Sequence, residues 1–169
     1  MAFKKNKAGK LQAYDPRTGR YSHMSSDDFF KYINNRPKTK EQKRENRRRA
    51  LYERAHQRRD PLVPEVFEAI ENRFPGCVQN VNHSYFDENL GHRRELDIIT
   101  SHAIVEVKSG TAKRSLKQLV GQSKYAKSVN KDYIVYAPSI STARQREYNK
   151  HGIKIARTMQ ELLNSLKEK

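Results

Sequence analysis

The stretch Glu95-Leu96-Asp97-Ile98-Ile99-Thr100-Ser101-His102-Ala103-Ile104-Val105-Glu106-Val107-Lys108-Ser109-Gly110 decides the fold. Two short apolar runs, Glu95–Thr100 and Ala103–Lys108, flank Ser101-His102 and read as an antiparallel hairpin. Side chains alternate along a strand, so Glu106 and Lys108 share one face while Val105 and Val107 take the other. A strand inside an α/β sheet is apolar on both faces. Glu106 and Lys108 break that rule, and Asp97 breaks it between Leu96 and Ile98. Burying charges without partners costs several kcal/mol, so something must compensate. Pairing through the turn sets Asp97 across the ladder from Glu106, with Cβ atoms about 4.5–5.5 Å apart. Two carboxylates that close repel unless a cation lies between them. Oxygen ligands with positions left for water suit Mg²⁺, with Mn²⁺ as the substitute. Lys108 beside them is placed to orient an attacking water and to stabilise negative charge on phosphorus. The residues therefore read as a phosphodiester hydrolysis site. The competing reading is a buried Glu106–Lys108 or Asp97–Lys108 ion pair with no catalysis.

Working outward, the periodicity predicts a helix over 64–74, with Pro64 in its first turn and Val63, Val66, Phe67, Ile70 and Phe74 on one face. Pro75-Gly76 stops it. Cys77–Tyr85 reads as the first strand of the sheet. After the hairpin, residues 113–128 read as a helix, Asp132–Ala137 as an apolar strand, and 141–149 as a helix capped by Ser141. Ile153–Ala156 is a last strand. Thr158 and Glu161 form a capping box opening the final helix. This order predicts an α/β fold, a central mixed β-sheet flanked by helices.

Leu96-Asp97-Ile98-Ile99 followed by Val105-Glu106-Val107-Lys108-Ser109-Gly110 resembles the PD-(D/E)XK nuclease superfamily over about residues 62–165. Leu96 stands where the family pattern has proline. The resemblance implies a restriction-endonuclease-like core and Mg²⁺-dependent cleavage of phosphodiester bonds. By it, Asp97 and Glu106 are metal ligands and Lys108 is the catalytic lysine. It also implies a first-helix glutamate as a further metal ligand, for which Glu65, Glu68 and Glu71 are candidates, Glu65 first. A polar residue in the helix after the lysine strand is implied as well, Gln122 or Gln118. The wording from Ile104 to Gly110, with Tyr133-Ile134-Val135-Tyr136-Ala137-Pro138, is also similar to restriction-endonuclease-fold toxin domains of bacteria. That resemblance implies RNA or tRNA as an alternative substrate and an inhibitor protein as a partner. Nucleases of this kind often act as homodimers.

The 169 residues suffice for one compact domain plus an appendage. Net charge is +16, the isoelectric point about 10.0 and mean hydropathy −1.03. Residues 1–60 carry 18 Lys+Arg against 7 Asp+Glu, and residues 61–169 carry 17 against 12. Such a balance marks a polyanion-binding protein. No basic amphipathic helix has the apolar face a membrane surface requires, so nucleic acid is the expected partner, DNA ahead of RNA. No apolar run spans a bilayer and no secretory h-region follows the basic N-terminus. The expected location is the cytoplasm of a bacterial or phage-infected cell, or a target cell if the chain is a delivered toxin. A single cysteine, Cys77, excludes an intrachain disulfide and a cysteine-based zinc cluster. P-loop, dinucleotide-binding and HExxH motifs are absent, and the histidines show no ligand spacing.

Residues 1–60 read as a basic, partly flexible arm and helix ahead of a nuclease domain over 61–169. Residues 1–26 are expected to be mobile, with a turn at Tyr14–Tyr21. A short helix is expected over 27–34, capped by Ser26. Residues 39–59 read as a solvated helix opened by a Thr39/Gln42 capping box. Arg44, Arg47, Arg48, Arg49, Arg54, Arg58 and Arg59 are its expected phosphate contacts, joined by Arg93, Arg94 and Lys113. A non-catalytic nucleic-acid-binding protein is the remaining alternative.

Overall fold

The computed structural model describes residues 3–8, 10–15, 19–25, 27–28, 38–57, 60–87, 91–110 and 116–167. The chain divides into two compact units, residues 1–43 and 44–169.

In the first unit, β1 (Phe3–Lys5), β2 (Leu11–Asp15) and β3 (Arg20–His23) form a three-stranded antiparallel sheet. This corrects the expectation of a mobile arm. Tyr14 pairs with Tyr21 and Asp15 with Arg20, so β2 and β3 flank the expected turn, of which 16–18 lie outside the described residues and Gly19 has a φ of 67°. The Tyr14 and Tyr21 rings lie 5.2 Å apart and the Lys4 ammonium sits 3.8 Å over Tyr21. Cross-strand aromatic and cation–π contacts of this kind carry no apolar periodicity, which hid the sheet from the sequence. Asp27 and Asp28 are helical, and the Asp28 N–H bonds the hydroxyl of Ser25. Ser26 and 29–37, where most of the short helix was expected, lie outside the described residues.

Helix α1 (Lys40–His56) opens with the expected capping box: Gln42 N–H donates to Thr39 Oγ1 at 3.1 Å and Thr39 N–H to Gln42 Oε1 at 3.0 Å. The division between the units falls inside α1, at Lys43/Arg44, and not near residue 60. The reason is local. Leu51 and Ala55, four apart, are buried in the core of the second unit, while the remaining residues of α1 are exposed.

Helix α2 (Leu62–Arg73) begins two residues before the expected start, because Asp60 Oδ1 accepts the Leu62 N–H. It leads into β4 (Val78–Asp87), β5 (His92–Thr100) and β6 (Ala103–Val107), then α3 (Leu116–Ser128), β7 (Asp132–Tyr136), α4 (Thr142–Lys150), β8 (Lys154–Ala156) and α5 (Met159–Ser165). The sheet order is β4-β5-β6-β7-β8. The first two pairings are antiparallel and the last two parallel. The described residues thus form an α/β fold with five helices, a mixed five-stranded sheet and a small three-stranded one. One face of the large sheet packs on α1, α2 and α5 through Val66, Phe67, Ile70 and Leu162; the other packs on α3 and α4 through Leu119, Ala126 and Tyr148. No helix among the described residues is long and apolar enough to cross a membrane.

The hairpin turn is fixed by Thr100, which is buried. Its hydroxyl accepts the Ala103 N–H at 2.9 Å and donates to the Ala103 carbonyl at 3.0 Å.

Candidate active site

The β5–β6 ladder pairs Ile98 with Val105 and Ile99 with Ile104. One step further the register sets Asp97 opposite Glu106, as the sequence predicts. There the backbone ladder gives way to a side chain: Val107 N–H donates to Asp97 Oδ2 at 2.7 Å. The alternation also slips at Asp97. Leu96 packs into the α3 side of the core and Ile98, two residues on, into the α2 side. Opposite Asp97 on β4 sits Asn82, with a φ of 50°. A left-handed residue in the middle of a strand twists it sharply, and asparagine tolerates that conformation best among non-glycines. The Asn82 amide is held by the Arg54 carbonyl at 2.7 Å.

Glu106 is wholly buried on the face that looks toward α3. Lys108 Nζ donates to Glu106 Oε1, and Gln122 Nε2 donates to Glu106 Oε2 at 3.1 Å. Gln122, also wholly buried, bonds the Glu95 carbonyl at 3.0 Å and accepts the Tyr133 hydroxyl at 2.8 Å. Lys108 begins just past β6, where its N–H bonds the Tyr136 carbonyl at 2.9 Å. Glu106, Lys108 and Gln122 thus meet at the end of β6, with Asp97 across the ladder on β5. Gln118, the other helix candidate, is half-buried. Tyr133 was missed by the sequence reading; a tyrosine in an otherwise aliphatic buried strand needs a hydrogen-bond partner, which was the available signal.

The three glutamates of α2 separate clearly. Glu71 is buried and its oxygens accept the N–H groups of Gly76 and Val78, both at 3.0 Å. It closes the α2–β4 turn at the far end of the sheet and is not a ligand candidate. Glu68 is exposed. Glu65 is exposed in the first turn of α2, and its charge, after burial, helps to raise the pKa of Tyr136, the β7 residue paired with Val107. The Ser109 hydroxyl donates to Asp60 Oδ2 at 2.9 Å, tying the start of α2 to the same end of the sheet. Of the three, Glu65 is the one whose charge reaches the end of β7, at Tyr136.

Among the described residues no three His, Cys, Asp or Glu side chains converge as a ready-made cation cage. The donors present are Asp97 and Glu106. Such a pair fits a hard divalent ion that takes one or two carboxylates and completes its shell with water and phosphate oxygens.

The expected phosphate contacts fare unevenly. Arg44 donates to the Pro75 carbonyl at 2.6 Å, Arg47 to the Gln79 carbonyl at 3.4 Å, Arg48 to Asn72 Oδ1 at 3.1 Å and Arg54 to Asn80 Oδ1 at 2.9 Å. These four arginines fasten α1 to α2 and β4. Arg49 pairs with Glu53 on the same helix at 3.1 Å. Arg94 is drawn into an ion pair with buried Asp87 at 3.0 Å, while Arg93 is exposed. Arg58, Arg59 and Lys113 lie outside the described residues.

Comparisons with protein-family models, with curated proteins and with solved structures give no match, so the likeness to nucleases rests on the chain's own motif.

Proposed function

We propose that this chain is a divalent-metal-dependent nuclease of restriction-endonuclease-like fold that hydrolyses phosphodiester bonds, with DNA ahead of RNA as substrate. The observation that supports it most is Glu106: a fully buried carboxylate, bracketed by a lysine and an amide, across the β5–β6 ladder from a second carboxylate. Asp97 and Glu106 would hold Mg²⁺ or Mn²⁺, with Glu65 the additional carboxylate at that end of the sheet. Bound there, the ion supplies Lewis-acid charge and a more acidic water.

The chain's own residues do the rest. The Val107 N–H holds one Asp97 oxygen and so fixes that carboxylate against the end of β6. Gln122 fixes the rotamer of Glu106, and Tyr133 fixes which end of the Gln122 amide faces it. Lys108 keeps an ammonium beside the carboxylates, where it can orient a water and offset charge on a phosphoryl oxygen.

A second reading has its own support. Both Glu106 oxygens already carry hydrogen bonds, as in a structural ion-pair network. In that case the protein binds nucleic acid without cutting it. The decisive assay incubates plasmid DNA and tRNA with the protein in Mg²⁺ and in EDTA. Cleavage of either that EDTA abolishes supports the nuclease. Binding without cleavage in Mg²⁺ or Mn²⁺ rejects it, and cleavage of tRNA alone moves the substrate to RNA.

A further inference from the structure

Next to Gln122, helix α3 presents Gly121, Lys124, Tyr125 and Ser128 as one stripe at helical spacing. Together with Tyr85, Phe86 and Asp87 of β4 they line a cleft of about 420 Å³. The rings of Tyr85 and Tyr125 are stacked within it, 4.2 Å between centroids and 25° from parallel. Gly121 has no side chain to fill the space, and Lys124 stands exposed at the rim. The cleft adjoins the candidate site. Gly121 precedes Gln122, the Glu106 charge reaches Tyr85, and Tyr85 pairs with Arg94, next to the Glu95 whose carbonyl holds Gln122.

We propose that this cleft is a base-stacking subsite, and that the strand cut at Glu106 and Lys108 is therefore unpaired beside the scissile phosphate. The inference rests on the nuclease reading above. A half-buried tyrosine pair offers a flat π-surface, which every nucleobase can extend, and a lysine at its edge attracts the phosphate that follows. A base inside a duplex keeps both faces in its own stack and cannot enter. The substrate class is single-stranded or frayed nucleic acid, such as a flap or an overhang.

The test uses the full chain in EDTA, so that cleavage plays no part, and a single-stranded oligonucleotide carrying 2-aminopurine, whose fluorescence falls on stacking. Saturable quenching is expected. Tyr125→Phe should keep it and Tyr125→Leu should weaken binding about tenfold or more. Lys124→Glu, on an exposed position that cannot upset the core, should weaken binding as well. Parent protein that binds the probe without quenching overturns the proposal, as does unchanged affinity in both Tyr125→Leu and Lys124→Glu. A parallel arm measures cleavage in Mg²⁺ of matched single-stranded and duplex DNA. Preference for the single strand, lost in Tyr125→Leu, supports the subsite. Quenching with no cleavage of any substrate rejects the nuclease while leaving the stacking cleft in place.

Discussion

Glu106 has no solvent contact, and its two oxygens are held by different elements, one by Lys108 beyond β6 and one by Gln122 of α3. Removing the lysine strands a buried negative charge, whereas removing both charges together does not. Lys108→Met should therefore lose about 3 kcal/mol in urea denaturation, with much of that recovered in the Glu106→Gln/Lys108→Met double variant. Glu106→Gln alone should cut cleavage about a thousandfold while leaving oligonucleotide binding intact. A Lys108→Met protein as stable as the parent would mean the pair is not formed. Tyr85 offers a second test at this scale. Burial first, then Asp87, push its pKa up to about 12, with Arg94 pulling the other way. The fold thus favours the protonated phenol. Its contribution to stability is complete below about pH 10, the ordinary value, and is lost as pH rises through about 12. Its hydroxyl is buried with no hydrogen-bond partner among the described residues. Tyr85→Phe should match or exceed the parent at pH 7, by up to about 1 kcal/mol, and should blunt the fall in melting temperature between pH 10 and 12. A lower melting temperature at pH 7 would show that the hydroxyl is satisfied.

At the scale of elements, α1 shows which contacts of a basic helix its own residues cannot specify. Its capping box and extent were legible, since both are written in adjacent residues. Four of its arginines also bond Asn72, Pro75, Gln79 and Asn80, groups that are remote in sequence and so could not be read from the helix alone. Leu51→Ala should cost about 2–3 kcal/mol, since Leu51 is buried against the core. Arg49→Ala, which breaks only the exposed pair with Glu53, should cost less than about 0.5 kcal/mol. Equal losses in the two variants would deny that α1 is docked through its apolar residues. Helix α2 makes the complementary point. Glu65, Glu68 and Glu71 are indistinguishable on a helical wheel, and the packing of α2 along the sheet separates them. Glu65→Gln should slow cleavage at least tenfold more than Glu68→Gln, measured at saturating Mg²⁺. The reverse order would remove Glu65 from the site.

At the scale of the molecule, the unit boundary at Lys43/Arg44 changes where the chain can be cut. A chain shortened to residues 44–169 keeps Leu51 and Ala55 in the core and should unfold cooperatively. One shortened to 61–169 loses both, with the four docking arginines, and should melt far lower or not fold. Residues 1–43 carry 11 Lys+Arg against 4 Asp+Glu. Their removal should weaken oligonucleotide binding and flatten its dependence on salt, because fewer counterions are released. An unchanged slope would place the grip entirely in residues 44–169.

Local chemistry determined the strands around Asp97 and Glu106, the Thr39, Ser141 and Thr158 helix starts and the mixed α/β order, and composition the net charge of +16. Each local feature depends on residues within a few positions of one another, which is the range over which strand alternation and helix capping act. What only the tertiary structure decided lies at longer range. It joined β1–β3 into a sheet, turned arginines of α1 into docking contacts and Arg94 into a partner of Asp87. It chose Gln122 as the group that holds Glu106 and Tyr133 as the one that holds Gln122, and turned Glu71 to the far end of the sheet. Those outcomes depend on which elements become neighbours, and that is set by burying two apolar layers at once, a condition that no single stretch of the chain contains.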